Sequence, residues 1–191
     1  MDKFKHQHFA MYKPDGYLSQ FTNNDVSKNK KKLLGEFYAF PKNIMAIGRL
    51  DEPSEGLLLL TTNGRTSEFI RSRKIEKEYL AQIDGNITSN AIEMLKKGVE
   101  ISVEGKKYLT NPCEVSKLNE HPVLPKRNKK IRDDRHGPTS WISITITEGK
   151  YRQVRKMTAA VGFPTLRLVR VRIGHIKLQN MIPGEVKKIN L

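Results

Sequence analysis

Hydrophobic and polar residues alternate along several stretches of this 191-residue chain, and each alternation predicts a β-strand. In "WISITIT", Ile142, Ile144 and Ile146 share one face, while Ser143 and Thr145 share the other. "KEYLAQIDG" alternates in the same way. The four consecutive leucines of "EGLLLLTTNG" instead have the continuous apolar character of a strand that is buried on both faces.

Turn-forming residues divide two further stretches into pairs of strands. "FAMY" is followed by Pro14, Asp15 and Gly16, which predicts a turn and then a second strand. "VEISVEGKKYL" turns at Glu104 and Gly105 and therefore predicts a β-hairpin.

The stretch "TLRLVRVRIG" changes phase partway along its length. Val169, Val171 and Ile173 lie opposite the intervening arginines, whereas Leu166 and Leu168 belong to the other face. We therefore expect one long strand with a β-bulge near Leu168.

Three segments have helical spacing and helix-ending residues. "RTSEFIRSRK" predicts a short helix with basic residues in its last turn. In "NAIEMLKKG", Asn90 is the expected N-cap, Glu93 its capping-box partner and Gly98 the end of the helix. "YRQVRKMTAAVG" predicts a third helix, which Gly162 and Pro164 terminate.

The order of these elements predicts an α+β fold. The chain has no internal repeat and no regular alternation of strand and helix, so a largely antiparallel or mixed sheet is expected. The length suits one domain, residues 1–191, in two lobes.

The charge of the chain points to a polyanionic partner. It contains 35 Lys and Arg against 20 Asp and Glu, a net charge of +15, and its pI is near 9.9. Such a potential attracts nucleic acid, although solubility alone is the simpler explanation. The apolar residues are 37% of the chain and fall in periodic runs, which indicates a folded protein.

Cysteine content and hydropathy indicate a reducing compartment. Cys113 stands alone, so it forms no internal disulfide and no thiolate zinc site. No apolar run reaches the roughly 20 residues needed to span a bilayer, and the N-terminus lacks the apolar core of a signal peptide. We expect a cytoplasmic protein that does not bind membranes.

Two lysine- and arginine-rich segments are expected to be loops. "SKNKKK" is too charged to bury. Residues 121–138 contain prolines, few apolar residues and six cations: Lys126, Arg127, Lys129, Lys130, Arg132 and Arg135. This basic loop is either a clamp for RNA phosphates or a solvated segment.

A cluster of charged residues stands at the entrance of the leucine strand in "GRLDEPSEG". Arg49 and Asp51 are two positions apart and project to one side, while Leu50 anchors the loop in the core. Glu52 and Glu55 add two further carboxylates. The cluster is either a solvated turn of ion pairs or a reactive site on a rigid scaffold.

Other candidate residues would suit chemistry on a nucleobase. Arg152 and Arg155 lie three apart on one helix, and Tyr79 lies on a strand with polar neighbours. A carboxylate, a guanidinium and an aromatic ring in a basic chain fit a flipped base. The simpler interpretation makes Tyr79 a core residue with a hydrated tip and Arg155 a surface charge.

The motifs together resemble those of the RsuA family of ribosomal RNA pseudouridine synthases. "GRLDEPSEGLLLLTTNG", "KEYLAQIDG" and "EGKYRQVRKMTAAVGFPTLRLVRVRIG" are similar to its three signature blocks, and "MYKPDGYLSQF" resembles its first Lys-Pro block. The resemblance runs from Phe9 to the C-terminus. It implies a two-lobed catalytic domain with a central mixed, mainly antiparallel sheet flanked by helices.

The resemblance also implies roles for individual residues. Asp51 corresponds to the essential nucleophile, and Tyr79 to the tyrosine that packs on the target uracil and is a candidate proton acceptor. Arg155 corresponds to the basic residue that pairs with the catalytic carboxylate. Arg49 corresponds to the residue that fills the gap left by the flipped base.

The expected partner is ribosomal RNA, and the expected reaction is an isomerisation without metal or organic cofactor. The presence of both "LPKRNKKIRDDRHGPTSW" and "GFPTLRLVR" in the chain resembles one branch of the RsuA family. Members of that branch modify 23S rRNA and have no N-terminal accessory RNA-binding domain. We expect a monomer. The residues predicted to bind RNA are Arg49, Lys126, Arg127, Lys129, Lys130, Arg152, Arg170 and Arg172.

Two alternatives of different class remain at this point. One is a non-catalytic rRNA-binding or ribosome-assembly protein, which needs the charge but not Asp51. The other is a metal-dependent nuclease that uses Asp51, Glu52 and Glu55. The nuclease is disfavoured because these acids lie in one short loop among cations, without a second acidic cluster.

Overall fold

The computed structural model describes residues 6–22, 31–72, 75–132 and 134–191. They divide into two compact units. The first contains the chain up to residue 74 and again from residue 177, and the second contains residues 75–176. Most of the lysine-rich "SKNKKK" segment, residues 27–30, lies outside the described residues.

Within the described residues, the chain contains strands, three α-helices and two short 3-10 helices, at Leu34–Glu36 and Asp134–His136. In chain order the strands and α-helices are β1 (His8–Lys13), β2 (Met45–Ala46), β3 (Glu55–Thr61), α1 (Gly64–Ser72), β4 (Lys77–Asp84), α2 (Ser89–Lys97), β5 (Glu100–Val103), β6 (Lys106–Leu109), β7 (Glu114–Lys117), β8 (Thr139–Ile146), α3 (Gln153–Ala160), β9 (Thr165–Ile173), β10 (Ile176–Lys177) and β11 (Val186–Ile189).

The first unit is built on an antiparallel sheet. Strand β1 pairs with β11 on one side and with β3 on the other, and β2 adds to β3. All four leucines of β3 are fully buried, as their continuous apolar run predicts. Leu58 and Leu60 pack in a core with Phe9, Met11 and Leu34. This core holds β3 rigidly, and the segment that enters β3 carries Asp51.

The second unit is a four-stranded antiparallel sheet in the order β9-β4-β8-β7. Helices α2 and α3 contribute Leu95 and Met157 to a core with Ile142 and Ile144 of β8. Each fully buried aliphatic side chain of this kind contributes about 1.5–3 kcal/mol. Strands β5 and β6 form the expected hairpin, whose turn residues Glu104 and Gly105 both have positive φ. The α+β class is confirmed.

The predicted cap of α2 was wrong. Thr88 is the N-cap, because its hydroxyl accepts a 3.2 Å hydrogen bond from the Ala91 amide. Asn90 lies inside the helix, and Glu93 forms an ion pair with Lys96 at 2.7 Å instead of a capping box. Gly98 ends the helix as predicted.

The predicted long strand with a bulge near Leu168 is confirmed: β9 shifts its register with β4 at Leu166, and it has a second, unpredicted shift at Val171. The predicted second strand after Gly16 is wrong: among the described residues 17–22, Tyr17 makes an isolated parallel bridge to Lys32. No described helix is long and apolar enough to cross a bilayer.

Candidate active site

Asp51 lies in a turn of the first unit that its neighbours hold in place. The Asp51 carbonyl accepts a 2.9 Å hydrogen bond from the Ser54 amide, and the Asp51 side chain is half-buried. The preceding Leu50 is buried, as the sequence predicts. Its amide donates to the Ser19 hydroxyl at 3.0 Å, and that hydroxyl donates to the Leu50 carbonyl at 2.8 Å. The backbone on both sides of Asp51 is therefore fixed.

A buried lysine stabilises the same turn. Lys13 is fully buried at the end of β1, and its Nζ donates to the carbonyls of Pro14 and Ser54, both at 2.8 Å, and of Glu52 at 3.3 Å. Burial lowers the pKa of Lys13 to about 8, although Asp15, Glu55, Glu52 and Asp51 act to raise it. Lys13 is therefore a cation below pH 8, and its charge interacts with these four carboxylates.

The other carboxylates of this cluster are buried or half-buried in the fold. Glu55 and Asp15 are buried. Glu52 is half-buried, its carboxylate lies 2.9 Å from the Lys31 Nζ, and its carbonyl accepts from the Gly16 amide. Arg49 is exposed. The charged cluster is therefore an organised turn and not a loose set of surface charges.

Lys13 and Ser19 are residues that the sequence analysis did not single out. Lys13 ends a buried apolar strand, "HFAMYK", and immediately precedes a proline. A charged residue that directly continues a buried apolar strand can be recognised from the sequence as a candidate functional or structural group, because a charge is rarely buried without a specific partner. Ser19 offers no comparable signal in the sequence.

Tyr79 lies on β4 in the second unit, opposite Ile144 on one neighbouring strand and Arg170 on the other. It is half-buried and packs against the core of that unit. The Arg170 guanidinium carbon lies 5.9 Å from the Tyr79 ring centroid, within the range of a cation–π contact. The structure thus brings together two of the predicted site residues, Tyr79 and Arg170.

Arg155 and Arg152 are placed by helix α3. Arg155 is half-buried, and its Nη1 donates to the Thr165 carbonyl at 3.2 Å. Arg152, just before the helix, has φ 53° and ψ 33°, a left-handed conformation that is uncommon for a residue with a side chain. Arg155 and Tyr79 belong to the second unit, and Asp51 belongs to the first.

The two arginines of β9 have different surroundings. Arg170 is buried, contrary to its expected outward position. Arg172 donates from Nε to Glu78 and from Nη1 to Glu76, both at 2.8 Å, so its charge is paired with two carboxylates. The predicted RNA contacts of both arginines remain predictions.

The basic loop, residues 121–138, is attached to the second unit at two points. Arg167 of β9 donates to the Pro125 carbonyl at 2.8 Å. Arg132 donates to the Asp84 carboxylate and, at 3.0 Å, to the Gly137 carbonyl. Between these points lie the exposed lysines Lys126, Lys129 and Lys130 and the half-buried Arg127. Arg132 is therefore an attachment residue, and the exposed lysines face solvent.

The carboxylates near Asp51 do not form a metal-binding set. Within the described ranges, no three His, Cys, Asp or Glu side chains are grouped closely enough to hold a metal ion. Asp51, Glu52 and Glu55 therefore lack the arrangement that the nuclease alternative requires.

Comparison with known proteins identifies the class. The family described as RNA pseudouridylate synthase matches residues 7–160. The chain therefore belongs to the RNA pseudouridylate synthase family. The class that the sequence motifs predicted, a pseudouridine synthase, is confirmed, and the non-catalytic alternative is not favoured.

Individual relatives are similar over almost the whole chain. Ribosomal large subunit pseudouridine synthase E of Vibrio vulnificus is 42% identical over 181 residues, which are 94% of this chain and 73% of that protein. The protein of the same name from Xanthomonas campestris is 42% identical over 91% of this chain and 90% of its own length. A crystal structure of a pseudouridylate synthase has a TM-score of 0.74 at 28% identity and covers 97% of this chain and 71% of that one.

Proposed function

We propose that this enzyme converts one uridine of 23S ribosomal RNA, in the peptidyl-transferase domain, into pseudouridine. The observation that carries the ribosomal target is the 42% identity, over more than nine-tenths of the chain, to proteins named ribosomal large subunit pseudouridine synthase E. The net charge of +15 supports a polyanionic substrate.

The reaction breaks the bond between uracil N1 and ribose C1′, turns the ring, and joins C5 to C1′. The C5 proton is released and N1 gains a proton, so the product is an isomer and no oxidant, reductant or cofactor is required. The Asp51 carboxylate attacks the sugar or the ring, or assists elimination, and each path divides one difficult step into easier ones. The fixed backbone around Asp51 suits this role, because a nucleophile acts best from a preorganised position.

Tyr79 receives the flipped base in this proposal. Extruding the uridine costs a few kcal/mol, and stacking on an aromatic ring offsets about 1–3 kcal/mol of that cost. Its position on a central strand of the second unit and its contact with Arg170 hold the ring in one orientation. Tyr79 is also the candidate proton acceptor.

The cations have separate roles. Arg155 stabilises the charge of the catalytic carboxylate, and Arg49, which is exposed, fills the space that the flipped base vacates. The exposed lysines of the basic loop, with Arg127 and Arg152, bind phosphates with little sequence selectivity. The enzyme acts as a monomer in the cytoplasm.

Tritium release from 23S rRNA labelled at uridine C5 tests the proposal, because the label leaves only when C5 bonds to the ribose. We expect release without RNA cleavage, undiminished by a chelator. RNA cleavage that stops when the chelator is added would indicate a nuclease. Binding without release would indicate a non-catalytic rRNA-binding protein. Mapping pseudouridines in rRNA from cells with and without the gene then identifies the target position.

A further inference from the structure

The turn before α3 exposes an aromatic ring next to a fixed ammonium group. Tyr151 is 69% exposed, and the Lys156 Nζ lies 5.2 Å from its ring centroid. The same Nζ donates a 2.6 Å hydrogen bond to the Ser102 carbonyl of β5. Because that bond restrains the lysine, the ring and the cation form a defined pair on the surface.

The turn that carries Tyr151 is rigid. The Glu148 carboxylate accepts hydrogen bonds from the Tyr108 hydroxyl at 2.5 Å, the Asn111 amide at 2.8 Å and the Gln153 side-chain amide at 2.5 Å. The buried Gln153 side chain in turn accepts from the Lys150 amide at 2.9 Å. Both ends of the turn are therefore fixed, and a ligand that contacts Tyr151 orders little additional structure.

The surroundings of the ring are positively charged. The Lys150 Nζ lies 4.8 Å from the Tyr108 ring centroid, and Lys150 is exposed. The nearby acid, Glu148, already accepts three hydrogen bonds from its neighbours. We call Tyr151, Lys150, Lys156 and Tyr108 the Tyr151 surface.

We propose that the Tyr151 surface binds an unpaired nucleotide of the RNA substrate other than the target uridine. The base stacks on Tyr151, and its phosphates lie near Lys150 and Lys156. An exposed aromatic ring on a fixed turn among cations is the combination that binds single-stranded nucleic acid without sequence preference. Duplex RNA does not offer a free base face, so the surface selects unpaired RNA. This inference rests on the proposed function.

Binding to two RNA probes tests the inference. The probes are a single-stranded oligouridylate and a duplex of equal length, and fluorescence anisotropy measures their affinities. Stacking of about 1–3 kcal/mol per base corresponds to about 5- to 150-fold in affinity, so Tyr151→Ala should lose this much for the single strand and less than about twofold for the duplex. Tyr151→Phe keeps the ring and should restore single-strand affinity. Lys156→Met should reduce the slope of log affinity against log salt concentration by about 0.7 for the single strand.

Phe69→Ala is the matched control, because Phe69 is an aromatic residue of α1 that is 55% exposed. We expect this variant to bind both probes as the parent does. Unchanged single-strand affinity of Tyr151→Ala, or an equal loss for the duplex, would overturn the inference. Tritium release by the parent tests the proposed function separately: a parent that releases none while Tyr151→Ala still loses single-strand affinity would overturn the ribosomal proposal alone.

Discussion

The Nζ atom of Lys13 donates a 2.8 Å hydrogen bond to the carbonyl of Ser54, the residue whose amide closes the turn that begins at Asp51. The contact joins the end of β1 to the start of β3, 41 positions apart in the chain. The same ammonium group also donates hydrogen bonds to the carbonyls of Pro14 and Glu52. A buried cation therefore stabilises the turn that presents the candidate nucleophile, together with the hydrogen bonds of Ser19 and Ser54.

Lys13→Met should destabilise the protein and reduce turnover. The change keeps the approximate volume of the side chain, but it removes the lysine donor from the carbonyls of Pro14 and Ser54 and one of the two donors to the Glu52 carbonyl, and it removes a cation near buried carboxylates. Removing one partner of such a buried set costs about 3–5 kcal/mol. Urea unfolding measures the free energy, and tritium release measures turnover. The control is Lys31→Met, which removes a partly exposed pair with Glu52 and should cost about 1 kcal/mol or less. Equal stability of the two variants would contradict the role of Lys13.

Lys13 should also make stability depend on pH. Burial lowers its pKa from 10.5 to about 8. Between these pH values Lys13 is protonated in the unfolded chain and deprotonated in the folded protein. The contribution of Lys13 to the free energy of unfolding therefore rises with pH, with a limiting slope of about 1.4 kcal/mol per pH unit. The difference in unfolding free energy between the parent and Lys13→Met should therefore grow from pH 8 towards pH 10. Urea unfolding across this window measures the difference, and a carbon-13 titration of the lysine side chain measures the pKa directly. A constant difference would contradict the shift.

The periodicity of apolar residues was sufficient to predict most elements. Strand β8, helix α3 and the leucine strand β3 appear where their patterns place them. Burial of apolar area dominates the energy of these segments, and their side chains repeat with the period of the element. Details that depend on single hydrogen bonds were less predictable. Thr88 rather than Asn90 caps α2, because the extended backbone at Thr88 directs its hydroxyl to the Ala91 amide.

The roles of individual cations were the least predictable part of the site. Arg172 is paired with Glu78, which is 94 positions away, and Arg132 binds Asp84 from a loop 48 positions along the chain. In sequence these arginines resemble the exposed lysines Lys129 and Lys130. Only the pairing of strands and loops separates a structural cation from one that is available to RNA.

Asp51→Asn should abolish turnover and leave RNA affinity nearly unchanged. The amide keeps the shape of the side chain and removes the anionic nucleophile, while the backbone bonds of the turn are retained. Single-turnover tritium release and anisotropy with rRNA measure the two quantities. Glu52→Gln, one position along, is the matched control and should retain activity because its carboxylate pairs with Lys31. Residual turnover of Asp51→Asn within about tenfold of the parent would contradict the assignment.

Arg155→Ala should reduce turnover by about 10- to 150-fold, as expected for the loss of a hydrogen bond to a charged group. In the described structure the guanidinium also binds the Thr165 carbonyl, so stability must be measured with activity. Loss of that single bond should cost about 1 kcal/mol. A merely structural arginine would show the stability change without the fall in turnover. Arg152→Gly is a comparison variant, because glycine accepts the left-handed backbone of residue 152 and the whole arginine side chain is removed without backbone strain.

The last prediction concerns the basic loop, whose lysines lie between its attachments at Pro125 and Arg132. If the loop is a phosphate clamp, each lost contact flattens the slope of log affinity against log salt by about 0.7–0.9. Changing Lys126, Arg127, Lys129 and Lys130 together to Ala should therefore weaken rRNA binding and reduce the slope by about 2 to 4. Replacing the three lysines by Arg keeps the charge and should keep the slope. Arg132→Ala should weaken binding by releasing one attachment, with a smaller change of slope. If the fourfold variant binds with the affinity and salt slope of the parent, the loop is a solvated segment and the phosphate contacts lie elsewhere.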